Sequence, residues 1–250
     1  MLNESSLVDI TDRVDSLSLQ WQSPLEGKEW RVFALWEGFT NQKTCSGAPN
    51  ATSIIANGSW VVDHFSEAGA RLHTSFFEDT ILSGKDTKDK LRDVGGYGKC
   101  QLPTFAGLRL MPRTAWEDSI EMQFTLLWTP GFLEKFERDH NYSLAKYLPL
   151  LFTKSNSWSG AVSPYSEEFR YGAYSLDGDS IHAENYRTTL GHCYQGYLAH
   201  HGSWAKGLGL ELSTQPAYNL PLSFVSVMIS QETVWDIHHE HLLTLCQLSE

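Results

Sequence analysis

Alternation and helical stepping of apolar positions divide the chain into a run of short elements. Glu29 to Phe39, EWRVFALWEGF, alternates and is rich in aromatics, which predicts a strand. Trp60 to Phe65 predicts a second, short strand ending in Asp63-His64. Ser66 to Leu82 then reads as a helix with Ala68, Leu72, Phe76 and Thr80 along one side, and Lys85 to Val94 as a charged helix stopped by Gly95-Gly96. Ala115 to Leu127 returns to a strand pattern. Thr129-Pro130 supplies an N-cap followed by proline at the first helical position, a start signal for GFLEKFERDH. Leu144 to Phe152 predicts a short apolar helix. The longest periodic element follows: Leu190, Tyr194, Tyr197, His201, Trp204 and Leu208 lie on one helical face, and Gly207 and Gly209 end it. Leu210 to Thr214 predicts a last strand. Strands alternating with helices argue for an α/β protein with parallel strands.

Composition narrows the function classes. The chain has 250 residues, enough for one or two domains with a core of their own. A net charge of −11 argues against a nucleic-acid-binding surface, which needs lysine and arginine. No apolar run is long enough to span a membrane. The opening MLNESSLVDITDRVD is polar and acidic, unlike a signal peptide. Yet four of the eight asparagines head a glycosylation sequon: Asn3, Asn50, Asn57 and Asn141. Their number predicts a secreted protein, coincidence being the alternative. Cys45, Cys100, Cys193 and Cys246 stand far apart without a CxxC pair, which disfavours a zinc site and leaves any disulfide pairing open.

The acids of AWEDSIEM pose the chemical question. Glu117, Asp118 and Glu121 sit among Trp116, Ile120 and Met122. Paired carboxylates serve glycoside hydrolysis, one protonating the leaving oxygen while the other activates water or attacks. They also hold Ca²⁺, which takes oxygen ligands. A solvated strand end is the plainer reading. In an extended chain Asp118 and Ile120 share one face, and Glu117, Ser119 and Glu121 the other. Asp63 and His64, at a strand-to-helix junction, are either polar site residues or an N-cap. Trp116 offers an aromatic face to a sugar ring, and Gln215 and Tyr218 follow the last strand, where a barrel places its site loops. His201 on the apolar face of the long helix reads as a packed core histidine. WDIHHEHLL near the end lacks the HExxH spacing, and no GxGxxG, P-loop or GxSxG is present.

AWEDSIEM, WTPGFLEKFERDHNYSLAKYLPLLF and ENYRTTLGHCYQGYLAHHGSWAKGLGLELSTQPAYNLPL, with WVVDHFSEAGA, resemble the catalytic region of glycoside hydrolase family 106. This is a family of large secreted α-L-rhamnosidases with a fungal branch. The resemblance runs from about Leu7 to Leu222. It implies an incomplete (β/α)8 barrel, inverting hydrolysis of an oligosaccharide or glycoside, and a Ca²⁺ that binds sugar hydroxyls. It makes Glu121 the candidate general base and Asp118 a metal ligand. Two departures stand out: the seventeen residues GKCQLPTFAGLRLMPRT between Gly-Gly-Tyr and the acidic block, and the end of the chain. The expectation is therefore a partial barrel over residues 1–222, with 98–114 an insertion and 223–250 an unpatterned tail, truncated and inactive as it stands. A non-catalytic carbohydrate-binding relative is the alternative. Neither nucleic acid nor membrane is an expected partner.

Overall fold

The computed structural model describes residues 6–16, 18–24, 29–42, 60–95, 114–118, 120, 122, 124–152, 156, 181–214 and 220–222. The chain divides into two units, 1–60 with 122–189 and 61–121 with 190–250. The proposed 98–114 insertion and 223–250 tail lie outside the described residues, except Thr114.

The first unit opens with a 3₁₀ turn, Thr11–Arg13, and a hairpin of β1 (Val14–Asp15) and β2 (Ser18–Leu19), paired antiparallel and exposed. The strand expected over Glu29–Phe39 is absent: residues 29–42 carry no ladder, with Trp36 and Phe39 exposed. Alternation requires a neighbouring strand to become a ladder, and none of the described strands pairs with this segment. Met122, Phe124 and Leu127 are buried, and α3, Phe132–His140, follows them in the chain. That helix starts later than Thr129-Pro130 predicts. Gly131 is its N-cap at φ 75°, and Thr129 instead accepts the Phe132 N–H at its carbonyl, 3.1 Å away. Asn141, the fourth sequon asparagine, closes α3 in the left-handed region and is exposed. A 3₁₀ stretch, Ala145–Leu151, replaces the expected short helix and carries Pro149 within it. Tyr186, fully buried, donates its hydroxyl to the Leu127 carbonyl at 2.6 Å. Tyr142 meets His182 Nδ1 at 2.8 Å.

The second unit holds α1 (Glu67–Asp79), α2 (Thr87–Gly95), β3 (Thr114–Glu117) and β4 (Glu211–Thr214). The 27-residue α4, Ile181–Gly207, gives its residues from Leu190 onward to this unit. Gly209, at φ 74°, reverses the chain after α4 into β4. The Leu210 N–H returns to the Ala205 carbonyl at 3.0 Å, the glycine-terminated helix end. The predicted α4 face is the buried one: Leu190, Tyr194, Tyr197, His201 and Leu208 are all inside. On α1 the expected face is wrong. Leu72 is 63% and Phe76 45% exposed, while Gly69, Ala70 and Thr74 are buried. At Gly69 the backbone of Asp63 passes too close to leave room for a Cβ. Only the Trp60 bridge remains of the second expected strand, and Val61–Phe65 runs on as loop and turn.

The strand expected over Ala115–Leu127 is likewise shorter. Its ladder covers Thr114–Glu117, parallel to β4, with Glu117 opposite Thr214. A parallel neighbour pair is compatible with a barrel and equally with an open sheet. Beyond Glu117 the alternation lapses: Asp118 is exposed and Ile120 buried, so the two do not share a face.

Candidate functional site

The carboxyl ends of β3 and β4 lie side by side, because parallel pairing sets Glu117 against Thr214. In parallel α/β folds, chemistry gathers at this end of the strands. Strand alternation turns Ala115 and Glu117 inward and leaves Thr114 and Trp116 exposed. The face of α4 supplies Tyr194 and Tyr197, one helical turn apart and stacked with centroids 6.0 Å apart. His201 follows, its ring 4.3 Å from that of Tyr197. From α1 come His73 and Thr74. The loop before α1 supplies His64, its ring 5.1 Å from Tyr197. Asp63 holds that loop by accepting the Phe65 N–H at 2.9 Å, and Ser66, not Asp63, is the N-cap, accepting the Gly69 N–H at 3.0 Å.

These side chains form one polar cluster within an aromatic surround. The Tyr197 hydroxyl is a close electrostatic neighbour of the Glu117 carboxyl. The same hydroxyl lies 3.4 Å from His73 Nδ1. His73 Nδ1 is 3.0 Å from His201 Nε2, and His201 Nδ1 is 3.0 Å from the Tyr197 carbonyl. Thr74 meets His200 Nε2 at 3.0 Å. Four buried atoms here have no hydrogen-bond partner: His64 Nδ1, Glu117 Oε2, the Tyr194 hydroxyl and Thr214 Oγ1. The Tyr194 and Thr214 hydroxyls are neighbours whose geometry does not close a bond. Buried polar groups are nearly always paired, so four orphans in one place mark a spot suited to a polar guest.

Burial sets the charges. It pushes the Glu117 carboxyl up to about 7, against the opposing influence of the neighbouring Tyr197 hydroxyl. Burial holds His64 down to about 4, assisted by the charge of His73 and opposed by the Val62 backbone and Asp63. It holds His201 down to about 4 and lowers His73 as well. Both tyrosines are raised by burial, with Glu117 adding to it. His64, His73 and His201 are thus biased towards their neutral forms, with one carboxyl able to carry a proton near neutrality.

Of the residues the sequence nominates, His64 joins this cluster and Asp63 holds the loop that carries it. Trp116 is 60% exposed, on the other side of β3 from Glu117. Asp118 is exposed. Glu121, Gln215 and Tyr218 lie outside the described residues. The favoured reading of the acidic block passed over Glu117, which the alternation places with Glu121 but cannot assign to a buried face. Tyr194, Tyr197, His73 and Thr214 had no motif; the only signal was polar tips recurring on the apolar face of α4. Among the described residues no three His, Cys, Asp or Glu side chains group closely enough to hold a metal ion. None of their helices is long and apolar enough to cross a membrane.

No family model matches the chain, and comparison with curated proteins and with solved structures gave no match.

Proposed function

We propose that the protein acts on carbohydrate as a secreted glycoside hydrolase resembling inverting α-L-rhamnosidases, built on a (β/α)8-type barrel, with Glu117 as proton donor. The observation that carries this is a buried carboxyl at the carboxyl end of a parallel strand, facing Tyr197 and beside three other unpaired polar atoms. A carboxyl that keeps its proton near neutrality is what a leaving glycosidic oxygen requires. The unpaired hydroxyls of Tyr194 and Thr214 are suited to sugar hydroxyls.

Glu121 is the proposed base, activating water on the opposite side of the sugar. Inverting enzymes keep the two carboxyls about 6.5–9.5 Å apart. Along a straight strand, four residues span about 13 Å. The chain after Glu117 must therefore leave strand geometry, and the β3 ladder does stop there. No three His, Cys, Asp or Glu side chains group together among the described residues, and the proton transfer assigned to Glu117 does not involve Ca²⁺.

The test is hydrolysis of aryl rhamnosides and other aryl glycosides by the full chain, with and without Ca²⁺. Turnover abolished by both Glu117→Gln and Glu121→Gln supports the reading. Turnover that survives Glu117→Gln at every pH overturns the role of Glu117. The exposed indole of Trp116 favours a second reading, carbohydrate binding without hydrolysis. Sugar affinity that persists without turnover, and is lost in Trp116→Ala, selects that reading.

A further inference from the structure

The geometry points to His73 and His201 as positioning residues: the two rings form a tautomer-locked pair that acts through Tyr197 and aims its hydroxyl at Glu117. The purpose of the pair rests on the reading of Glu117 as proton donor; its existence does not.

The lock follows from donors and acceptors taken in turn. A backbone carbonyl only accepts, so at 3.0 Å from the Tyr197 carbonyl His201 Nδ1 carries the proton. His201 is buried and neutral at neutral pH, so its Nε2 is bare. His73 Nδ1 lies 3.0 Å from that bare nitrogen, and therefore carries the proton of its own ring. A protonated Nδ1 cannot accept from the Tyr197 hydroxyl 3.4 Å away. The phenol proton is therefore turned away from His73, and the neighbouring Glu117 carboxyl is the acceptor we assign to it. The loop of contacts starts at the carbonyl of Tyr197 and returns to its hydroxyl, so the residue's backbone dictates where its side chain donates. Were His73 in the other tautomer, two bare nitrogens would face each other, and Tyr197 would donate to His73 instead.

Other charges surround the pair. His64 and Asp63 approach from the loop before α1, and Glu117 from β3. His200 sits beside His201 on α4, bonded to Thr74. One turn along α1, Glu78 is held by Lys88 and by the Trp204 indole. Adding a proton to His201 Nε2 would set two N–H groups against each other at 3.0 Å unless His73 moved its own proton to Nε2, so acid removes the tautomer lock.

The test is histidine-selective ¹⁵N NMR of the full chain at neutral pH. The expected result is a proton on Nδ1 and a bare Nε2 in both His73 and His201. A bare Nδ1 in either ring, or a cationic ring, overturns the proposal. Two variants separate positioning from packing. His73→Asn keeps an N–H donor close to the place of Nδ1 and should leave the Tyr197 ring carbon signals in place, whereas His73→Phe keeps the ring volume and should move them. The reverse ranking overturns the proposal, and if neither variant folds the tautomers of the unaltered chain decide. Both tautomers in a chain that never hydrolyses a glycoside would remove the assigned role of Glu117 and leave the pair standing.

Discussion

The carbonyl oxygen of Asp63 lies 1.9 Å from where a Cβ on Gly69 would stand. Both partners are backbone, so neither can rotate away. Gly69 is buried on the first turn of α1, and its N–H is held by Ser66 Oγ. Gly69→Ala should therefore cost about 1–3 kcal/mol, the usual range for forcing extra volume into a packed site. Denaturant unfolding measures it. A loss below about 1 kcal/mol would show that the Asp63-His64 loop can withdraw without harm.

This approach also explains a misreading of the sequence. Helical periodicity weighs large apolar residues, so it selected Leu72 and Phe76 as the inner face of α1. The inner face is instead Gly69, Ala70 and Thr74, and at Gly69 the backbone of Asp63 leaves no room for a Cβ. On α4 the same reasoning succeeded, since Tyr194, Tyr197 and His201 are large and truly inside. Strand alternation pairs Glu117 with Glu121 and Asp118 with Ile120, but the ladder holds only as far as Glu117, and the pattern cannot say which face is buried. That is decided by β4, some ninety residues later, whose pairing with Thr114–Glu117 ends at Glu117 and Thr214. The strand expected at Glu29–Phe39 shows the same dependence: pattern alone cannot supply a partner.

Tyr186→Phe should cost roughly 1–2 kcal/mol. The hydroxyl is buried and donates to the Leu127 carbonyl at 2.6 Å, so its removal leaves a backbone acceptor without its side-chain partner. Equilibrium unfolding of the variant beside the parent chain tests this. An unchanged midpoint would mean that another donor takes over the carbonyl.

Glu117→Gln should change the pH dependence of stability in a definite direction. The folded carboxyl titrates near 7 and the free one at 4.5. The folded state thus binds its proton more tightly, a contribution fully present below 4.5 and lost as pH rises through 7. Glutamine carries no such proton. The variant should gain on the parent by up to about 3 kcal/mol between pH 4 and pH 8, since each tenfold difference in proton affinity is worth about 1.4 kcal/mol. Parallel stability curves would show that the carboxyl is solvated.

His64→Phe should act with the opposite sign. Burial holds the folded imidazole at about 4 against 6.5 when free. Its contribution is present above 6.5 and lost as pH falls through 4, because the unfolded chain then takes up a proton that the folded one refuses. Phenylalanine keeps a ring beside Tyr197 and removes both that proton and the unpaired Nδ1. The variant should hold its stability in acid where the parent loses it. Thermal unfolding at a series of pH values reads the difference, and an equal acid loss in both proteins would exclude His64 as its source.

The leaving group separates the roles of the two glutamates. If Glu117 donates the proton, parent turnover should decline above about pH 7, where the carboxyl loses it. Glu117→Gln should abolish that decline and slow glycosides with basic leaving groups by about 10²–10⁴-fold, the scale of lost general acid catalysis. Dinitrophenyl glycosides depart without protonation, so the same variant should cleave them at close to the parent rate. Glu121→Gln removes the group that activates water, and water must attack whatever the leaving group. It should therefore slow both substrate types alike. The comparison requires no assumption about which sugar is preferred, because each variant is measured against the parent on the same pair of aglycones. Equal losses on both substrate types in Glu117→Gln would place Glu117 outside the proton transfer. A Glu121→Gln variant spared on either substrate would place the base elsewhere in the chain.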